Sequence, residues 1–207
     1  WVNIFKEYQE LLGIPVDMNE VYGKLYNNAL TGDADCGGLI SYNYISGEPL
    51  TGLAEGRPLF VRSANDKFNL ANFIRTHLYA SVGVLKLGND ILFNEEKVSV
   101  DRITGHGGLF KTKGVGQRVL AAAINSPISV METAGEGGAW GIALLASYLV
   151  NNEKQQTLAD YLDEVVFAGD AGVEIKPTKE DVDGFNKYIE SYKACLAIEE
   201  AAVKAKQ

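Results

Sequence analysis

The stretch Val98–Ser147, VSVDRITGHGGLFKTKGVGQRVLAAAINSPISVMETAGEGGAWGIALLAS, decides the fold. Val98, Val100 and Ile103 form a short apolar run that ends in a glycine-dense turn, Thr104-Gly105-His106-Gly107-Gly108. An amphipathic segment follows over Val115–Asn125. A second apolar run, Ile128 and Val130, ends in a second glycine-dense turn at Gly135, Gly137 and Gly138, which opens into the apolar segment Ala139–Val150. The order reads strand, glycine turn, helix, strand, glycine turn, helix. In open α/β sheets ligands sit beyond the carboxyl ends of the strands, where such turns lie. Glycine lets backbone N–H groups approach a phosphate or ribose with no Cβ in the way. The P-loop spacing G-x-x-x-x-G-K-[ST] is absent, and Gly105-x-Gly107-Gly108 lacks the third glycine of a dinucleotide fingerprint.

Outward from this core, the patterning is mostly helical. Val2–Leu12 and Asn19–Leu30 carry apolar residues at helical spacing, with Gly13-Ile14-Pro15 between them and Asp17 placed to cap the second. Leu39–Ile45 has strand character, and a loop of Gly, Pro and Ser is expected through about Asn65. Asn69–Phe93 reads as a long helix whose stripe is Leu70, Phe73, Ile74, His77, Leu78, Val82 and Leu85. His77 on that stripe is expected to be structural. Downstream, Asn151–Thr157 is a polar loop, and Leu158–Phe167 a short helix. Pro177 and Thr178 open a long terminal helix with Val182, Phe185, Ile189, Tyr192 and Leu196 on one side. Tyr188 and Tyr192 should pack that helix, Trp140 should be core, and the tail Glu199–Gln207 should fray. Nothing splits the chain into two domains.

The composition narrows the function classes. The chain has 207 residues, 46% hydrophobic and 22% charged, as expected of a soluble globular domain. A net charge of −8 disfavours nucleic-acid binding over a broad surface, while a local anion site built from backbone amides is compatible with it. Gly137–Val150 is too short and too glycine-interrupted to cross a bilayer, so no membrane role is expected. Two cysteines, Cys36 and Cys195, suggest a reduced compartment, and the cytoplasm is expected. With two isolated histidines they make no protein metal site. Because the chain opens on Trp1 rather than an initiator methionine, it reads as an excised fragment.

The segment Glu136-Gly137-Gly138-Ala139-Trp140-Gly141-Ile142-Ala143-Leu144-Leu145-Ala146 resembles the E-x-G-A-x-G-A-A-L-L-A segment of the FGGY carbohydrate kinases, which follows a GGGA-type turn and a helix. Upstream, Gly37-Gly38-Leu39-Ile40 and Tyr44-Ile45-Ser46-Gly47-Glu48-Pro49 resemble the G-G-L-x-F-x-P-Y-L-S-G-E-R-x-P stretch of xylulokinase-like members. The resemblance runs from about Cys36 to the C-terminus in the family's order. It implies an α/β, ribonuclease H-like domain of the actin, sugar-kinase and Hsp70 type, a mixed central sheet flanked by helices with the two long helices on its faces. It also implies that residues 1–207 are the C-terminal nucleotide-binding domain of a two-domain sugar kinase. On this reading Gly105, His106, Gly107 and Gly108 face the ATP phosphates or ribose, and Glu136, Gly137 and Gly138 shape the adenosine pocket. Gly47 and Glu48 sit in a loop near the interdomain cleft, and Lys111 and Lys113 flank the glycine turn, from where they could lean toward phosphates. His106 stands where the family has glycine, Gly108 where alanine is common, and Leu109–Lys113 adds residues before the helix.

Phosphoryl transfer needs a base near the accepting hydroxyl, Mg²⁺ beside the phosphates and a cleft that excludes water. The family's catalytic aspartate and its other phosphate turns have no match in this chain, and Asp33 and Asp35 precede Gly37-Gly38 in the wrong place, so they read as loop acids. The resemblance therefore implies MgATP and a small sugar, a ketopentose such as xylulose, as partners of the whole protein. Its own N-terminal domain is a further partner, and a homodimer is admitted. The fragment alone is expected to be inactive. A non-catalytic nucleotide-binding regulatory module and an actin- or chaperone-like assembly protein are the alternatives.

Overall fold

The computed structural model describes every residue except 101–102, 152–155, 169–171 and 206–207, together with the side chains of Thr133 and Glu136. Helices α1 (Val2–Leu11), α2 (Met18–Ala29) and α3 (Leu70–Asp90) form where the apolar spacing predicts them. The expected cap of α2 is present: the Asp17 carboxylate accepts the Asn19 N–H at 2.9 Å. Asn69 caps α3 in the same way, accepting the Asn72 N–H at 2.9 Å. Ile74, Leu78 and Val82, each one turn apart, bury the inner face of α3. Leu70 and Leu85, expected on the same stripe, are exposed.

Among the described residues, five short strands make two sheets. β1 (Ile40–Tyr42) pairs antiparallel with β2 (Leu59–Val61), Ile40 opposite Val61. β2 falls inside the loop expected through Asn65; three residues between turn signals are too few to show an alternation. β3 (Ile103–Thr104) runs parallel to β4 (Ile128–Val130), and β4 runs antiparallel to β5 (Val173–Ile175). Among the described residues of the first apolar run, Ile103 lies in a strand, while Val98 and Val100 are exposed outside it.

Helix α4 (Val115–Ile124) connects β3 to β4 and is buried along nearly its whole length. The long helices reach the three-stranded sheet through it: α3 and α7 (Lys179–Ala205) pack on α4 and on β1, rather than directly on the sheet. Thr178 opens α7 as its sequence predicts, and its hydroxyl accepts the Asp181 N–H at 3.1 Å. Phe185, Tyr188, Ile189 and Tyr192 are buried. The Tyr42 hydroxyl donates to the Tyr192 carbonyl at 2.5 Å, which ties β1 to α7. The helix does not fray at Glu199. That residue is fully buried, and its carboxylate accepts the Arg57 N–H at 2.5 Å.

Helix α5 (Gly137–Asn151) is apolar almost all round, a pattern found where a helix is enclosed. Here it buries no residue: Ile142 is 70% exposed, Leu149 81% and Val150 80%. Trp140, expected in the core, is 40% exposed for the same reason. Short α6 (Leu158–Tyr161) follows, continued by a wide turn over Leu162–Val166. The expected polar loop at Asn151–Thr157 falls mostly outside the described residues. No helix among the described residues is long and apolar enough to cross a membrane.

Candidate functional site

The two glycine turns meet at the carboxyl ends of the parallel strands β3 and β4. The Gly105 N–H continues the ladder to the Ser129 carbonyl at 2.9 Å, and the Gly107 N–H donates to the Ala134 carbonyl at 2.7 Å. Gly107 has φ 101° and ψ −174°, a conformation open essentially to glycine alone. At Gly105 the constraint is space, since a Cβ there would lie 2.4 Å from the Phe110 ring. His106 packs against the second turn: a Cβ on Gly137 would lie 3.2 Å from His106 Cβ and Nδ1. The imidazole is exposed.

This geometry separates the turn amides already paired from those that are not. Gly105 and Gly107 are committed to protein carbonyls, whereas the N–H groups of His106 and Gly108 have no partner among the described residues. Gly108 begins a one-turn 3-10 helix, Gly108–Phe110, made by the residues added before α4. That insertion builds a wall. Behind the two turns lies a cavity of about 930 Å³, lined on one side by Phe110, Lys111 and Lys113 from the insertion. Val130, Met131 and Ala134 line a second side, with Gln117 of α4 and Val173 of β5 beneath. The volume suits a small organic ligand. The aliphatic part of Lys111 runs over Gly135, whose Cβ would meet Lys111 Cγ at 3.3 Å.

The predicted residues therefore fall into two groups. Gly105, His106, Gly107, Gly108, Gly137 and the two lysines come together. The Glu136 side chain lies outside what the structure describes, and Gly138 stands in open space with nothing near its Cβ position. Gly47 and Glu48 belong to the loop between β1 and β2 and do not line the cavity. Glu48 turns back on its own loop, accepting the Leu50 N–H at 3.0 Å. Asp33 and Asp35 are loop acids, as expected. The Lys67 ammonium (2.9 Å) and the Asn72 amide (2.8 Å) hold the Asp33 carboxyl below its ordinary range. Burial pushes Asp35 up, but hydrogen bonds from Lys187 and the Gly37 N–H outweigh it and lower its pKa.

Phe110, Gln117, Met131 and Val173 were not legible as site residues. The nearest signal was Gln117, a polar side chain among the apolar residues Val115, Val119 and Leu120 of a buried helix. A second cavity, of about 520 Å³, is lined by Trp1, Tyr22, Tyr26 and His77 from the helices and by Leu109, next to the first glycine turn. His77 there bonds Ser41 Oγ through Nδ1 at 2.8 Å, the structural role expected of it.

Residues 4–150 match the model of the FGGY family of carbohydrate kinases, C-terminal domain. The chain belongs to this family. Solved structures agree on the fold. A gluconate kinase from Lactobacillus acidophilus superposes with a TM-score of 0.67 at 21% identity, over 88% of this chain and 35% of that one. A ligand-bound xylulose kinase from the same organism gives 0.64 at 21% identity, over 86% and 35%. A glycerol kinase from Plasmodium falciparum, solved with ADP, gives 0.61 at 17% identity, over 85% and 33%. The chain thus spans about a third of the length of these FGGY relatives. No curated protein sequence matches it. Mixed α/β architecture and family membership are as the resemblance implies.

Proposed function

We propose that this chain is the ATP-binding C-terminal domain of a two-domain sugar kinase, and that the whole protein transfers the γ-phosphoryl group of MgATP to a sugar hydroxyl. The observation that carries the reading is the joined pair of glycine turns, in which the His106 and Gly108 amides are unpaired among the described residues, beside a cavity that those two residues do not line and that Phe110, Met131 and Val173 wall. Backbone N–H groups are apt donors to phosphate oxygens, and the apolar walls suit a base and ribose. Lys111 and Lys113 add positive charge to the lining of that cavity. Among the described residues no group of three His, Cys, Asp or Glu could hold a metal ion. Mg²⁺ would arrive on the nucleotide's own phosphates.

The base that takes the sugar's proton is assigned to the companion N-terminal domain, since the family's catalytic aspartate has no match in this sequence. The exposed apolar face of α5, leading away from the second glycine turn, supports such a cover. We assign that face to the companion domain rather than to a second copy in a homodimer. The Gly47–Glu48 loop is the proposed sugar-side contribution to the cleft. Two unbridged cysteines, one of them buried, support a cytoplasmic location.

A ketopentose such as xylulose is the proposed substrate. ADP release by the full-length protein with MgATP, tested on D-xylulose, L-xylulose, D-ribulose, L-ribulose, glycerol and gluconate, checks this. Preference for one ketopentose supports the whole reading. Preference for glycerol or gluconate overturns the sugar and keeps the kinase. No turnover with any sugar, alongside ATP binding, replaces the enzyme with a regulatory nucleotide-binding module.

A further inference from the structure

Gln117 is 4% exposed, lies in the first turn of α4 and lines the cavity. Its amide nitrogen donates both of its protons, to the Ile128 carbonyl at 3.1 Å and to the Val173 carbonyl at 2.7 Å. Those bonds clamp the side chain between β4 and β5 and fix which end is which. A flipped amide would set its oxygen against two carbonyl oxygens. Oε1 therefore points away from the strands. It has no partner among the described residues and, unlike Nε2 of His77 and Oε2 of Glu199, it is not sealed from solvent. The open space beside it is the cavity. The result is a fixed hydrogen-bond acceptor, unable to turn into a donor, in a chamber whose lining mixes Phe110, Val130 and Met131 with the charged Lys111, Lys113 and Glu132.

We infer that Gln117 reads the nucleotide base, its Oε1 accepting a proton from the exocyclic amine of adenine. The inference rests on the proposal that this cavity takes ATP. Adenine presents an amino donor at its C6 edge, whereas guanine presents a carbonyl acceptor there. Guanine would face acceptor to acceptor and leave both oxygens unpaired, which a site built around a fixed polar group rejects. Phe110, Val130 and Met131 supply apolar surface for the ring, and Phe110 itself is held in place against Gly105. The residues added between the first turn and α4 thus make the wall, and α4 supplies the reader.

Calorimetric titration of the full-length protein with ATP, GTP and purine riboside triphosphate tests this. The last has the adenine ring system without the amine. The wild type should bind ATP about tenfold more tightly than either analogue. In Gln117→Met, ATP should weaken to the level of purine riboside triphosphate while the latter is unchanged, a base-dependent effect that a merely structural role for Gln117 would not give. Equal affinity of the wild type for ATP and purine riboside triphosphate overturns the inference while leaving the nucleotide reading intact, and needs no variant to fold. A preference for ATP that survives Gln117→Met also overturns it. Binding of none of the three nucleotides overturns the nucleotide reading and this inference with it.

Discussion

The Gly107 N–H donates to the Ala134 carbonyl oxygen across 2.7 Å, and this bond joins the two glycine turns of the site. It exists because Gly107 takes φ 101°, a region that L-residues avoid. Gly107→Ala should therefore cost about 1–3 kcal/mol of stability. It should also pull the neighbouring His106 and Gly108 amides off target and weaken ADP binding about tenfold or more. Thermal unfolding and calorimetry of the full-length protein check both. Unchanged affinity would mean that the turn does not face the nucleotide.

Asp181 is the electrostatic centre of the helical layer. It accepts from Arg75 at 2.8 Å and from Arg118 at 2.7 Å, joining α7 to α3 and α4, with Arg75 and Asp181 both buried. Burial raises its pKa, but the bonds from Arg118, Thr178 and Arg75 outweigh that and hold it below the usual aspartate value. Its contribution is present above the unfolded pKa and is lost as pH falls through the depressed folded one. Asp181→Asn should leave Arg75 with an uncompensated buried charge and cost about 3–5 kcal/mol, read by urea denaturation at neutral pH.

His77 gives a second acid window. Burial pushes its pKa down from 6.5 to about 4, and the buried Nε2 has no hydrogen-bond partner among the described residues. In this window the unfolded chain binds the proton that the folded chain refuses. Stability should therefore fall as pH drops from about 6.5 to about 4, by up to about 3 kcal/mol, and then level off for this group. His77→Asn should flatten that slope and leave the Asp181 loss at lower pH in place. A wild-type curve flat between pH 6.5 and 4 would contradict the assignment.

Helix α5 offers a test of the companion domain. Leu149 is 81% exposed here, and a substitution at a free surface position changes stability by less than about 0.5 kcal/mol. Leu149→Lys in the full-length protein should instead lose more than about 1 kcal/mol. Tolerance there would mean that the α5 face stays open.

The glycine turns and the helices that carry them were legible because each rests on local chemistry: apolar spacing for α3 and α4, glycine density for the turns, Asp17 and Thr178 at the caps. The cavity was not. Its walls come from four separate places, Phe110, Gln117, Met131 and Val173, brought together by the β3–β4–β5 pairing, and β5 itself is only three residues long. Nor could the sequence tell which turn amides are left for a ligand. That depends on the Ser129 and Ala134 carbonyls, which become partners only once β4 lies beside β3. Trp140 failed for a different reason: an apolar helix normally marks core, and α5 is apolar without being covered by the described residues.

Hydrogen–deuterium exchange of the full-length protein with and without ADP tests the central claim most directly. Peptides covering Thr104–Lys111 and Met131–Trp140 should gain protection when ADP binds, with the His106 and Gly108 amides among the most slowed. Protection absent from both turns, or gathered instead on Trp1–Asn3, Tyr22–Tyr26 and Ile74–Ser81 around the second cavity, would contradict it.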